Sequence, residues 1–343
     1  MIGYYVHHRG LGHLHRALAI AAKLAEPVTI LSSLPRPESW DGGWIDLPVD
    51  TDVAPRDARA GGTLHWVPLG STGLRTRMTT VSTWITAERP SAIVIDVSVE
   101  VAMLVRLHGV PVITFAQPGD RTDVPHTVGY GIAAAVIAPW PARFDPLRVS
   151  PGVDLPLRHT GAISRFDIAS GARVNPRQIA VLNGAGGRGV SALGLVVAEA
   201  RRRSTGFDWI ELTDAPADVV AKTLRESAIV FAHCGQNALA EIAVSRVPAV
   251  LVAEERPHEE QTAMAESIAG SGLPAFVTAP EAVLDWTGTL TTVRGYDGAL
   301  WSEWCDGLGA ERAAAVIEGV AREHTEFVDA AELDDAAELG ARA

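Results

Sequence analysis

Three stretches of this sequence hold residue types at spacings that suit chemistry on an anionic ligand. The first is His233-Cys234-Gly235-Gln236-Asn237, which opens onto an apolar helical pattern carrying Glu241. A glycine at a helix start lets the backbone approach a ligand, and the free N–H groups and dipole there attract an anion. Glu241, in the first helical turns, can accept hydrogen bonds from a pair of hydroxyls beside that anion. The bland alternative is that Asn237 caps the helix and Glu241 complements its dipole. The second stretch, Gly10-Leu11-Gly12-His13-Leu14-His15-Arg16, has the first two glycines of a dinucleotide fingerprint, with His15 in place of the third. No well-placed acid follows the next strand, so the pattern argues against NAD. An imidazole is the side-chain type suited to taking a proton from a hydroxyl, which makes His13 a candidate base; the alternative is a histidine that caps its own loop. Arg16 either faces a phosphate or is solvated. The third is Asp96, at the end of the apolar run AIVID. Parallel sheets place ligands at such strand ends. Asp96 is a second candidate base, a partner that orients His13, or a cap on the following helix.

These groups need a scaffold, and the hydrophobic pattern supplies it. Ala228–Ala232 and Ala249–Ala253 read as strands buried on both faces, joined by a helix over Ala238–Arg246. Val247-Pro248 stops that helix. A second strand–loop–helix–strand unit opens the chain at Ile2–Val6, Leu14–Ala25 and Val28–Ser32. Strands are expected at Ala92–Asp96, Val110–Ala116, Ala133–Ala138, Ile179–Leu182, Trp209–Leu212 and Leu273–Thr278. Helices are expected at Arg75–Glu88, Val97–Leu107, Val190–Arg203, Ala217–Glu226, Gln261–Ala269 and Trp301–Glu323. The alternation predicts doubly wound α/β domains. Asn183-Gly184-Ala185-Gly186-Gly187-Arg188-Gly189 is a second glycine-rich strand-to-helix turn, where Arg188 suits a phosphate or is solvated. Residues 34–75, with Trp40, Trp44 and Trp66, read as loops around a cleft. Gln117 to Arg121 and the loop residue His126 are placed on the same rim.

Composition narrows the class. The 343 residues suffice for two domains, and 47% hydrophobic content can bury two cores. No apolar run reaches the ~18–20 residues of a membrane-spanning helix. MIGYYVHHRG lacks a basic-then-apolar signal, so the cytoplasm is the expected compartment. Cys234 and Cys305 fit neither a disulfide framework nor a metal motif, and no metal ligand set is read from the sequence. The net charge is −12, and Glu323 to Ala343 holds seven acids and one Arg, which is half of it. No basic stripe points to nucleic acid, and no Lys/Arg-rich amphipathic helix points to a membrane surface.

The pattern His233-x-Gly235-x-x-x-x-x-Glu241, a Pro-led strand, then an acidic loop ending in Glu260-Gln261 resembles the C-terminal signature of inverting GT-B glycosyltransferases, nearest to the MurG-like and UDP-glycosyltransferase group. The Gly-x-Gly-His loop ending at His13 is similar to that group's N-terminal loop. The resemblance implies two Rossmann-like domains facing across a cleft: an acceptor domain over 1–158, a donor domain over 159–323 and an acidic tail over 324–343. It implies donor diphosphate at Gly235, Gln236 and Asn237 after His233, ribose at Glu241, and donor-sugar hydroxyls at Glu260 and Gln261. Gly187 and Arg188 face the donor, and Thr213, with Leu212, lies near the base. Gly12 lines the cleft, and His13 or Asp96 activates the acceptor. Gln236-Asn237 departs from the small residues usual in that loop.

The implied activity is transfer of a hexosyl-type sugar from a nucleotide sugar, with uridine as the family's usual base, to a small-molecule or lipid-linked hydroxyl acceptor. Inversion is expected, with no prosthetic group and no essential metal. Two other readings stand beside it: a nucleotide-sugar epimerase of the same fold, and a non-catalytic nucleotide-sugar-binding protein.

Overall fold

The structure, a computed structural model, describes residues 1–8, 10–52, 54–168, 171, 173–183 and 191–341, with side chains described as far as residue 331. In chain order the first part comprises β1 (Ile2–Val6), α1 (Gly12–Ala21), β2 (Val28–Ser32), β3 (Gly43–Asp46), α2 (Thr72–Glu88), β4 (Ala92–Asp96), α3 (Val99–Leu107), β5 (Val112–Phe115), β6 (Gly119–Asp120), α4 (Val124–Gly131), β7 (Ala135–Ala138), β8 (Leu147–Arg148) and β9 (Leu157–His159). The second comprises β10 (Asn175–Leu182), α5 (Ala192–Arg203), β11 (Asp208–Leu212), α6 (Ala217–Glu226), β12 (Ser227–His233), α7 (Gln236–Ser245), β13 (Ala249–Val252), α8 (Glu260–Ile268), β14 (Ala275–Thr278), α9 (Trp286–Arg294) and α10 (Gly309–Ala341).

Two parallel sheets organise these elements. One runs β3-β2-β1-β4-β5-β7-β9, the other β11-β10-β12-β13-β14. IGYYV of β1 and AIVID of β4 are buried at every position. That is the pattern of strands covered by helices on both faces. In the first sheet the order reverses between β1 and β4, and Val6 lies in register with Asp96. In the second it reverses between β10 and β12, with Leu182 opposite Ala232. The loops leaving such strand pairs diverge and open a crevice at the sheet edge. All three sequence stretches with chemical character sit at these two reversals.

Two different surfaces join the halves. One is apolar: Trp140, Phe144 and Ala162 share a core with Val244, Trp301 and Trp304, and the Phe144 and Trp304 rings lie 5.8 Å apart. The other is the polar rim of the cleft. The last helix returns to the first sheet, burying Ala310, Ala313, Ala314, Ile317 and Ala321 against Leu14, Ala17 and Ile20. Its backbone stays helical through the acidic stretch to Ala341. Among the described residues no helix is long and apolar enough to cross a membrane.

Candidate active site

The first reversal assembles a buried charge cluster. Asp96 is fully buried at the end of β4. Its Oδ1 lies 3.0 Å from His13 Nδ1, and its Oδ2 accepts from Arg16 Nε at 3.2 Å. Arg16 Nη2 also donates to Oδ1. Burial alone would raise the Asp96 carboxyl, but the Arg16 guanidinium, and His13 after it, override this and hold it at about 2. An ionised carboxylate only accepts hydrogen bonds, so His13 Nδ1 carries a proton, and in the neutral ring the lone pair is then on Nε2. An acid and an imidazole paired in this way have the geometry of an oriented general base.

The structure decides between the readings left open for these residues. Ser98, not Asp96, caps α3, accepting from Val101 N. His13 does not cap α1, which starts at Gly12 with Leu11 as N-cap and no side-chain cap. Arg16 is not solvated: it is 4% exposed, bound to Asp96 and stacked over Phe115 at 4.3 Å. Apolar periodicity places Arg16 on the buried face of α1, but only the fold shows that an acid meets it there. Just beyond Asp96, Val97 holds a φ of 57°. Such a conformation is costly for a β-branched residue and concentrates at functional sites.

Across the cleft, α7 begins at Gln236 with Gly235 as its N-cap and no side-chain cap. Asn237 therefore does not cap the helix. The first backbone N–H groups of α7 have no side-chain oxygen at the cap position, the condition for an anion site. Gln236 instead reaches over to the first half. Its Oε1 accepts from Arg16 Nη1 at 2.9 Å, and its Nε2 donates to Gln117 Oε1 at 3.3 Å. Asn237 lies against Gly12, where an added Cβ would fall 2.1 Å from Asn237 Nδ2. The two large residues in this loop thus span the cleft, and Gly12 is small because Asn237 occupies the space.

Glu241 is buried, and its Oε1 accepts from Arg165 Nε at 2.8 Å. Burial raises its carboxyl and Arg165 pulls it partly back, leaving it above the usual carboxylate range. Arg165 Nη1 also lies 3.2 Å from His15 Nε2, and burial, then Arg165, lowers His15 to about 4. Arg165 comes from the segment between the two sheets, where nothing in its sequence context sets it apart.

Gln261 is buried with its Nε2 4.0 Å from the place of a Cβ on Gly235, and its Oε1 accepts from Glu254 N at 3.0 Å. Glu260 opens α8, and its Oε2 lies 3.6 Å from Arg121 Nη2. His233 Nδ1 is buried without a hydrogen bond, 3.5 Å from Glu254 Oε1, and burial lowers its pKa. Thr213 is exposed past the end of β11, its Oγ1 accepting from Asn183 Nδ2 at 3.3 Å. His13, Asp96, Gln236, Asn237 and Gly12 are brought together, with Gly235 and Gln261 adjoining them. Gly187 and Arg188 lie outside the described residues.

Beside the cluster is a cavity of about 320 Å³ in the first half, lined by Trp66, Val97, Phe115, Gln117, His126 and Tyr130 among others. Val97 follows Asp96, Phe115 lies under Arg16, and Gln117 accepts from Gln236, so cavity and charge cluster share a wall. Gln117 Nε2 is buried there without a hydrogen-bond partner. His126, expected in a loop, lies in the first turn of α4, which Asp123 caps. With His65, Asp123 and His258 it forms a four-residue group whose potential ligand atoms lie within 4.8 Å of one another. The sequence suggested no metal ligands because these four come from three separate segments.

No protein-family model and no curated protein matches the chain. Solved structures do. MurG of Acinetobacter baumannii superposes with a TM-score of 0.60 at 14% identity, covering 93% of this chain and 99% of its own. The spinosyn forosaminyltransferase SpnP matches with a TM-score of 0.58 at 14% identity over 98% and 99%. The chain has the GT-B fold. Phytolacca americana UGT2, solved with UDP-2-fluoro-glucose and pterostilbene, shares it with a TM-score of 0.54 at 14% identity over 95% and 94%. In GT-B terms the two sheets are the two Rossmann-like halves, and the site lies in the cleft between them.

Proposed function

We propose that this protein is a glycosyltransferase that moves a sugar from a nucleoside diphosphate sugar, a UDP-sugar first, to a hydroxyl acceptor with inversion. The observation that carries this reading is the facing of two groups across one cleft. On one side stands the Asp96–His13 pair, and on the other the uncapped start of α7, linked to it through Arg16 and Gln236. The donor's diphosphate belongs at Gly235–Asn237, its ribose at Glu241 oriented by Arg165, and its sugar at Glu260 and Gln261. The acceptor occupies the cavity lined by Trp66 and Phe115. His13 Nε2 takes the acceptor's hydroxyl proton as the oxygen bonds to the anomeric carbon from the face opposite the diphosphate. The anomeric C–O bond breaks and its electron pair leaves with the diphosphate. The α7 N–H groups then stabilise the developing charge.

Residues 1–158 with α10 laid on them form the acceptor half in this proposal, and the donor half begins at 159. An epimerase acting on the donor alone has no use for a separate acceptor cavity, so the cavity favours transfer.

Calorimetric titration with UDP, TDP and GDP tests the donor site. Glu241→Gln is the matched variant, because a smaller residue would strand Arg165 in the interior. One nucleotide is expected to bind wild type and to lose affinity in a variant that still melts normally. Incubation of the matching donor sugar with a panel of hydroxyl acceptors then reads transfer by mass spectrometry, and His13→Ala should bind nucleotide yet transfer nothing. Wild type that binds none of the three nucleotides would refute the reading. Conversion of the donor to a second nucleotide sugar without acceptor would favour the epimerase.

A further inference from the structure

We propose that His65, Asp123, His126 and His258 form a site for one Zn²⁺ ion that ties the two halves of the molecule together beside the cavity. Asp123 Oδ1 is committed to the first turn of α4, 3.0 Å from His126 N and 2.5 Å from His126 Nδ1. Its Oδ2 is turned to the other two imidazoles, 3.4 Å from His65 Nε2 and 3.9 Å from His258 Nδ1. The rings of His65 and His126 lie 4.5 Å apart, and those of His126 and His258 4.9 Å apart, both nearer edge-to-face than stacked. The four ligand atoms lie within 4.8 Å of one another, and a tetrahedral ion with bonds of about 2.0–2.1 Å would draw them to about 3.3–3.4 Å, a closure made by ring rotations and a shift of the His65 and His258 loops. Three imidazoles and one carboxylate are a ligand set that Zn²⁺ takes readily and that Mg²⁺ and Ca²⁺ do not.

The supports of these residues are built. Glu100 Oε1 accepts from the backbone of both His65 and Trp66, at 2.7 and 2.9 Å, and so fixes the loop that carries His65. His258 and Glu259 both hold left-handed backbones, with φ of 62° and 56°. Two successive non-glycine residues in that region are strained, and the strain is what aims His258 at the first half. The contact is possible because Gly119, at φ 92°, has no side chain: a Cβ there would fall 2.1 Å from His258 O. Arg121 approaches His126 Nε2 at 3.3 Å, and the charge it adds is balanced by Glu260 and Asp123. Three ligands come from the first half and one from the second, so a bound ion resists opening of the cleft.

The test uses the full chain, stripped with a chelator and titrated with Zn²⁺ against a chromophoric competitor. One ion per chain is expected, and Co²⁺ in its place should give the intense visible bands of a tetrahedral site. His126→Ala and His258→Ala should each weaken Zn²⁺ by more than about a hundredfold, since even outer partners of metal ligands commonly matter ten- to a hundredfold. His324→Ala should not. Circular dichroism of each apo variant separates loss of the site from loss of the fold. Zn²⁺ should raise the melting temperature of wild type but not of His258→Ala. Absence of a stoichiometric site in wild type overturns the proposal, as does full Zn²⁺ affinity in both histidine variants. Loss in His126→Ala with full retention in His258→Ala overturns the bridging of the halves.

Discussion

Replacing Asp96 by Asn keeps the shape of the side chain and removes its charge. In the wild type the fully buried carboxylate is shared between Arg16 and His13, and Arg16 is itself only 4% exposed. Breaking one side of such a pair strands a buried charge, which typically costs about 3–5 kcal/mol. A second estimate comes from proton linkage. Holding Asp96 at about 2 rather than 3.8 is worth on the order of 2–3 kcal/mol at neutral pH. The Asn amide oxygen still accepts one bond from Arg16, so a loss of about 2–4 kcal/mol is expected. Urea unfolding of wild type, Asp96→Asn, Arg16→Met and the double variant measures it. The double variant should be more stable than the sum of the singles by about 2–3 kcal/mol, because removing both partners strands neither. Losses that add within about 0.5 kcal/mol would refute the claim that this pair organises the cleft. The pH dependence has a definite sign. A depressed folded pKa contributes stability in full above the unfolded value and loses it as pH falls. The gap between wild type and Asp96→Asn should therefore be flat above about pH 4 and narrow towards about pH 2. A gap that widens on acidification would contradict the assignment.

Two further predictions follow from local geometry. Gly119→Ala meets both a left-handed backbone and the His258 carbonyl, so it should cost about 2–4 kcal/mol or open the rim, read as a lower melting temperature or a larger radius of gyration by X-ray scattering. His15 should titrate near pH 4 by NMR, since burial and then Arg165 disfavour its cation, and should move up toward 6.5 in Arg165→Gln; an unchanged midpoint would mean that Arg165 does not act on it.

Most of the fold was legible because its elements are local. Apolar runs such as AIVID and glycine loops before helices mark strand–loop–helix units, and most form where the pattern places them; the last helix, expected over Trp301–Glu323, instead runs Gly309–Ala341, and the pattern placed neither α9 nor β3. His13 and Asp96 were legible as candidates because strand ends of parallel sheets are a predictable address. Their partnership was one of three readings open for Asp96, since 83 residues separate the two and only the β1–β4 register brings Val6 opposite Asp96. Of the two readings of Arg16 the solvated one fails, because its acid lies on another element and buries it. The His65, Asp123, His126 and His258 group was missed for the same reason in stronger form. Short-range spacing reveals Asp123 and His126, while the other two ligands arrive from a first-half loop and from the second half. The Gln236-Asn237 anomaly was visible in sequence, and its meaning is a contact across the cleft.

That contact bears on how the cleft moves. The two halves meet over an apolar surface where Trp140 and Phe144 pack with Trp301 and Trp304, all buried. Parting that surface would expose large aromatic area, so it acts as the fixed pivot. The rim opposite is held by polar side-chain ends: Arg16 on Gln236, Gln236 on Gln117, and Arg121 near Glu260. The neutral Gln236–Gln117 bond is worth about 0.5–1.5 kcal/mol against water and the bond from the Arg16 cation about 1.5–3 kcal/mol. The rim therefore opens for a few kcal/mol while the pivot stays shut. In the proposed donor site the diphosphate sits at the start of α7, where Gln236 bridges the halves, so on that reading the donor and the closure of the cleft act on the same residue. In this geometry the side chains of Gln236 and Asn237 make the phosphate loop part of the latch. Shortening them, as in Gln236→Ala, should loosen the closed state without removing the backbone N–H groups that hold the anion. Donor affinity would then fall less than the rate of transfer, and a variant that lost both equally would place Gln236 on the ligand instead of the latch.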